Sequence, residues 1–285
     1  MTDFSAKWLV ETDWLQAHLH TPGLVVLDAS LAMQGGPRAS HDLYLEAHIP
    51  GALFFDIEEL SDTSSPYPHM LPTPEKFASR MGGMGVGNGM KIIVYDRKGM
   101  FSAPRAWWMF RVMGHEDVAV LNGGLVKWQA EGRPLEDGPA AAHSRRHFTP
   151  RRNLELVRDT ADVIREIQSG RTQIIDARDK ARFEGHDVEP RPVPRLGHMP
   201  GAINIPYNTL IGENGVMKPA AELRAIFENA GINPGKPAIA TCGSGVTACI
   251  PVLGLAILGN EYAAVYDGSW AEWSKVPSAP VTGGT

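Results

Sequence analysis

Apolar positions in this chain gather in short runs, VVL (25 to 27), IIVY (92 to 95) and VAVL (118 to 121) in the first half, and QII (173 to 175) and AIAT (238 to 241) in the second. Between them lie longer stretches of mixed polarity. Short β-branched runs suit strands, and the stretches between them suit helices. The alternation predicts an α/β fold, with a mainly parallel sheet flanked by helices in each half.

The pattern repeats. LVVLDAS (24 to 30) corresponds to QIIDAR (173 to 178), and EAHIPGALFFDI (46 to 57) to LGHMPGAINIPY (196 to 207). KIIVYD (91 to 96) corresponds to PAIATC (237 to 242), and VLNGGLVKW (120 to 128) to VYDGSWAEW (265 to 273). The offsets are 148 for Asp28 to Asp176, 150 for His48 to His198, 146 for Asp96 to Cys242 and 145 for Trp128 to Trp273. Four matches in one order at nearly one spacing mean two tandem units. The stretch from 131 to 153, rich in Pro, Gly, Ala and Arg, has little apolar periodicity and reads as a surface crossing. The expected division is a unit at 1–137, a linker at 138–157 and a second unit at 158–285.

Composition narrows the function. The 285 residues carry a formal charge of -5 without a long block of either sign, which argues against a nucleic-acid partner. The first residues, MTDFSAKWLVETDW, contain acids and no long apolar run, so neither a signal peptide nor a membrane anchor is expected, and a cytoplasmic location fits. Two cysteines make no disulfide framework, and no CxxC or Cys/His cluster offers a metal site.

Both cysteines fall in AIATCGSGVTAC (238 to 249). Cys242 ends a strand run, and the apolar stretch from Ala248 to Leu258 suits a buried helix. Pro251 belongs in the first turn of that helix, which puts its start near Thr247. Ligands of open α/β sheets bind at that edge. Gly243 and Gly245 let the backbone curl so that successive N–H groups point inward, and the helix dipole adds positive potential. Such a cradle stabilises an anion, for instance the Cys242 thiolate. The alternative is a small buried cysteine before an ordinary glycine turn. Cys249 is expected on the helix and inert, held away from Cys242.

The tandem halves, the paired HIPGA and HMPGA motifs and the loop CGSGVT resemble the two-domain rhodanese family over essentially the whole chain. The resemblance implies two tandem rhodanese-like domains, with Cys242 taking up sulfur as a persulfide in a loop completed by Gly243, Ser244, Gly245, Val246 and Thr247. Family members that use thiosulfate have a basic, CRKGVT-like loop suited to a dianion. Gly243 and Ser244 stand in those places here, so the resemblance points to the branch that uses 3-mercaptopyruvate, a monoanion.

Arg182 in ARFEG and Arg191 in EPRP match the family's carboxylate-binding arginines, chemistry that a guanidinium fork suits; the plain alternative for both is a solvated surface residue. Ser244 is expected to donate to the substrate carbonyl or steady the departing enolate. His69 and Glu58 are its candidate relay partners, although the family has Asp where this chain has Glu58. The expected products are pyruvate and a sulfurated thiol, thioredoxin-like protein or cyanide, without metal or organic cofactor. Thiosulfate as donor, and a carrier that holds persulfide without turnover, remain the rivals. A phosphatase is excluded because Cys-x5-Arg is lacking: Ala248 stands at the arginine position.

Alignment of the halves sets Asp96 opposite Cys242. A carboxylate cannot hold a persulfide, so the first domain is expected to be silent and to form one wall of the cleft. The repeated His48 and His198 read as structural residues, and Trp107 and Trp108 as core.

Overall fold

The structure is a computed structural model that describes residues 3–32, 38–141 and 143–283. Each half forms a five-stranded sheet in which every strand pairing is parallel. The first comprises β1 (Leu9–Val10), β2 (Leu24–Asp28), β3 (Leu53–Phe54), β4 (Lys91–Tyr95) and β5 (Val118–Leu121), in the order β1-β5-β4-β2-β3. The second comprises β6 (Val157–Arg158), β7 (Gln173–Asp176), β8 (Ala202–Asn204), β9 (Ala238–Thr241) and β10 (Ala264–Tyr266), in the order β6-β10-β9-β7-β8. The repeat in the sequence is thus a repeat of topology and of register. Asp28 pairs with Tyr95 as Asp176 pairs with Thr241, so Asp96 and Cys242 leave their sheets at the same place. The five apolar runs are β2, β4, β5, β7 and β9; the other strands, two or three residues long, are too short to show a pattern of their own.

The helices after the central strands, Ala103–Val112 and Cys249–Ile257, are buried along their whole length and pack on each other. Cys249–Ile257 (CIPVLGLAI) is apolar on every side, the pattern of a helix enclosed all round. It starts two residues after Thr247, because Val246–Ala248 forms a turn whose carbonyls accept from Cys249 and Ile250 N–H. A single apolar core therefore runs through both halves, joining Leu27, Val94, Trp108 and Phe110 to Ala240, Ile250, Leu253 and Phe227. Each sheet has its own smaller core on the outer face, around Trp128 in the first half and Trp270 and Trp273 in the second.

Two arms cross between the halves. The segment 61–72 reaches over the second sheet, where Leu71 N–H donates to Asp267 Oδ2 at 2.7 Å. The corresponding segment 211–219 reaches over the first, where Met217 N–H donates to Asn122 Oδ1 at 2.8 Å. Asn122 and Asp267 are themselves repeat partners, which makes the exchange reciprocal.

The segment after 138 is docked on the first half. Arg146 N–H donates to Gly82 O, Arg151 N–H to Met113 O and Asn153 N–H to Val112 O, while Phe148 is buried against Phe77 and Phe110. β6 begins at Val157, the last residue of the segment read as linker. His48 and His198 hold equivalent structural places. Their Nδ1 atoms lie 3.0 Å from Tyr44 O and 2.9 Å from Phe183 O, and their backbones bridge to Glu136 and Thr282. Trp107 and Trp108 are fully buried core residues. Among the described residues no helix is long and apolar enough to cross a membrane.

Candidate active site

Cys242 follows β9 directly and is 2% exposed. The loop behind it is held by its carbonyls. Cys242 O and Gly243 O accept from Trp270 and Ala271 N–H at 3.0 and 2.9 Å, and Gly245 O accepts from Arg105 Nη1 at 3.3 Å. Val246 O and Thr247 O accept from Cys249 and Ile250 N–H. None of the N–H groups from Gly243 to Thr247 donates to another atom of the chain among the described residues. The five amide donors that follow the thiol are thus left without a partner in the described chain, as a loop that receives an anion requires.

The first half contains the same loop already filled. The Asp96 carboxylate accepts from the N–H groups of Lys98, Phe101, Ser102 and Ala103 at 2.8 to 2.9 Å. Burial pushes its carboxyl upward, and those four bonds oppose the rise. Asp96 and Cys242 each stand seven residues before the helix that follows. Where the first loop closes on its own carboxylate, the second offers its amides to an anion formed on, or brought to, Cys242.

Gly245 is required by this loop. Its φ is +77°, and an added Cβ would lie 2.6 Å from Asp267 O and 3.2 Å from Arg105 Nη1. At Gly243 the neighbour is Arg182: a Cβ would meet its Nη2 at 2.8 Å. A side chain at 243 therefore requires the Arg182 guanidinium to shift.

The first-half arm brings His69 to the loop. His69 Nδ1 lies 3.0 Å from Ser244 Oγ, and its Nε2 lies 3.4 Å from Arg191 Nη2 and 3.8 Å from Glu58 Oε1. Desolvation, with the charges of Arg191 and Arg105, lowers the His69 pKa to about 3, so the ring is neutral near pH 7. A guanidinium can only donate, which leaves Nε2 bare and puts the ring proton on Nδ1, where it donates to Ser244 Oγ. The Ser244 hydroxyl hydrogen is then free to point at a bound molecule. Glu58 stands at ion-pair rather than hydrogen-bonding distance, with its side chain 67% exposed.

The two arginines differ. Arg182 donates through Nε and Nη2 to Glu189, which is itself held by Arg178 Nη1 at 2.7 Å. Arg178 is also paired with Asp176 at 2.7 Å and stacks on Trp270. Arg191 has no carboxylate within ion-pair distance among the described residues, and it is half-buried beside His69. Desolvation lowers its pKa, while the charges of Glu58 and Cys242 oppose that change. Arg191 is thus the more available cation, a choice that its Pro-rich loop leaves open in the sequence between a binding and a surface residue. Cys249 is fully buried, its Sγ donates to Gly245 O at 3.4 Å, and burial pushes its thiol up. It does not ionise near neutral pH.

Three residues that support the site escaped the sequence reading. Arg105 and Asp267 form a buried pair beneath the loop, and Glu189 holds Arg182. Arg105 had a signal, a charge inside the apolar stretch SAPRAWWMF. Asp267 lies in a repeated motif, but nothing local marks Glu189.

The Rhodanese-like domain signature matches residues 11–131 and 159–276. The chain is 46% identical over 278 residues to the 3-mercaptopyruvate sulfurtransferase of Escherichia coli K12, covering 97% of this chain and 98% of the relative. It is 43% identical over 272 residues to the thiosulfate sulfurtransferase of Bos taurus, covering 94% and 90%. The crystal structure of SseA from Escherichia coli superposes with a TM-score of 0.85 at 45% identity, covering 93% of this chain and 100% of that one.

Proposed function

The chain belongs to the rhodanese family, and from that premise we propose that it moves sulfur from 3-mercaptopyruvate through a Cys242 persulfide to a thiol or cyanide, releasing pyruvate. The observation that carries this reading is the open amide cradle of Gly243–Thr247 around Cys242, set against a twin loop filled by Asp96.

The Cys242 thiolate attacks the donor sulfur. An S–S bond forms and the S–C bond breaks, its electron pair leaving on carbon as the pyruvate enolate. The proton that the donor carried on sulfur ends on that carbon, so thiolate plus mercaptopyruvate gives ionised persulfide plus pyruvate without net uptake of a proton. The loop amides stabilise the charge on sulfur before and after transfer. Ser244 donates its hydroxyl hydrogen to the enolate oxygen, while the neutral His69 orients it through Nδ1–H. Arg191 receives the donor carboxylate, with Arg182 beside it. An acceptor thiolate or cyanide then attacks the outer sulfur and regenerates the Cys242 thiolate.

The neutral loop supports a monoanionic donor over thiosulfate, since Gly243 and Ser244 add no cation beside Cys242. A persulfide enzyme needs a reduced thiol, which suits the cytoplasm, where a thioredoxin-like protein is a fitting acceptor.

Intact-protein mass spectrometry after treatment with mercaptopyruvate tests the proposal. The expected result is a gain of one sulfur, absent in Cys242→Ser, with pyruvate released on every cycle when cyanide is present. No gain, or a gain that survives in Cys242→Ser, rejects the mechanism. Single loading without further pyruvate indicates a carrier, and a higher kcat/KM for thiosulfate replaces the donor.

A further inference from the structure

The silent half carries a cation placed directly under the catalytic loop of the other half. Arg105, the third residue of the helix Ala103–Val112, is fully buried and stacks on Trp108 with its guanidinium carbon 4.5 Å from the ring centroid. Its Nη2 donates to His69 O and lies 2.7 Å from Asp267 Oδ1, and its Nη1 donates to Gly245 O at 3.3 Å. Asp267 in turn accepts Leu71 N–H at 2.7 Å. One ion pair therefore ties together the arm bearing His69, the loop bearing Cys242 and Ser244, and the end of β10.

Charged groups taken out of water are retained only where geometry and hydrogen bonds offset the desolvation, and an apolar pair of the same volume often serves stability as well. This pair is spent on two backbone carbonyls that set the Ser244–His69 contact. The twin helix of the second half has Pro251 at the position of Arg105, so the device points one way, toward the loop that holds the cysteine. His69 itself adopts φ +60°, a conformation uncommon outside glycine that the surroundings must impose. A donor on its own carbonyl is one such restraint.

We propose that Arg105, with Asp267, is a positioning residue for sulfur uptake: by holding His69 O and Gly245 O it aligns His69 with Ser244 for departure of the enolate. The proposal rests on the sulfur-transfer reading and adds to it a reason for the first domain, which supplies both His69 and the group that places it.

The consequence differs between the half-reactions. Loss of an enolate needs the Ser244–His69 pair, whereas discharge of a persulfide to cyanide does not. The test compares wild type with Arg105→Met, Arg105→Lys and Asp267→Asn in two single-turnover measurements. These are uptake of sulfur from mercaptopyruvate, and discharge to cyanide of persulfide loaded beforehand with inorganic polysulfide. Arg111→Met is the control, because Arg111 is also a buried arginine at the domain contact, lying between Trp8 and Trp107 and donating to Glu261 O, but it touches no part of the loop.

Arg105→Met is expected to slow uptake about 30-fold or more, with KM within about threefold, and discharge within about threefold. Lysine should restore part of the uptake rate, Asp267→Asn should share the defect, and Arg111→Met should lower Tm while leaving both rates near wild type. Equal losses in both half-reactions, or uptake in Arg105→Met matching that of Arg111→Met, overturn the proposal. If Arg105→Met does not fold, Arg105→Lys and Asp267→Asn decide by the same split. Failure of wild type to take up sulfur rejects the sulfur-transfer reading instead, so the two failures are distinct.

Discussion

His69 should make this protein measurably acid-labile, by an amount that its surroundings fix. In the folded chain its pKa is lowered to about 3 from an ordinary value near 6.5, chiefly by desolvation and then by Arg191 and Arg105. Between those two values the unfolded chain binds a proton at this ring and the folded chain does not. Stability therefore falls as pH falls through the interval, changes little above about pH 7, and loses nothing more from this group below about pH 3. At about 1.36 kcal/mol per pH unit the full interval is worth about 5 kcal/mol, and the step from pH 7 to pH 5 about 2 kcal/mol. Asparagine tolerates the φ of +60° at this position and does not titrate, which makes His69→Asn the matched reference. Urea unfolding of both chains at pH 7 and pH 5, at one ionic strength, isolates the term because the remaining ionisable groups are shared. Wild type should lose about 2 kcal/mol more than His69→Asn over that step. Equal losses, within about 0.5 kcal/mol, would refute both the buried neutral ring and the tautomer argument built on it.

Other outcomes follow from the same geometry. Cys249→Ser should retain pyruvate release within about threefold, since its thiol is buried and its one hydrogen bond is one a hydroxyl can make, whereas Cys242→Ser should abolish release. Gly243→Ala should displace the Arg182 guanidinium, which an added Cβ would approach to 2.8 Å, and lower kcat/KM for mercaptopyruvate about 10-fold with little change in Tm. Asp96→Ala strips four N–H groups of their acceptor, those of Ser102 and Ala103 buried and the other two part-buried, and should cost about 3 kcal/mol in urea unfolding, while persulfide still forms on Cys242.

The division between what could be read along the chain and what could not follows the range of the contacts. The two units, the parallel sheets and the place of Cys242 at a strand end depend on local apolar runs and on a repeat, both of which are linear properties. So does the expectation of a silent first unit: Asp96 aligns with Cys242, and the structure adds that its carboxylate accepts from the amides of its own loop. The start of the second long helix shifted by two residues because a turn at Val246–Ala248, stabilised from Gly245 onward, precedes it. Arg105, Asp267 and Glu189 could not be assigned in advance, because their meaning lies in partners far away in sequence or in the direction in which a side chain points.

The amino-acid sequence by itself determined the architecture, and it pointed to Cys242 and its glycine loop as the candidate site, since each follows from residue types in short range. Only the tertiary structure decided which arginine is paired with a carboxylate and which proton His69 keeps. It alone decided also that a cation from the first half hydrogen-bonds to the Cys242 loop of the second. Those properties arise from burial and from charges brought together in the fold; at the contact between the halves, removal from water sets the protonation of His69, and Arg105 is paired there with Asp267.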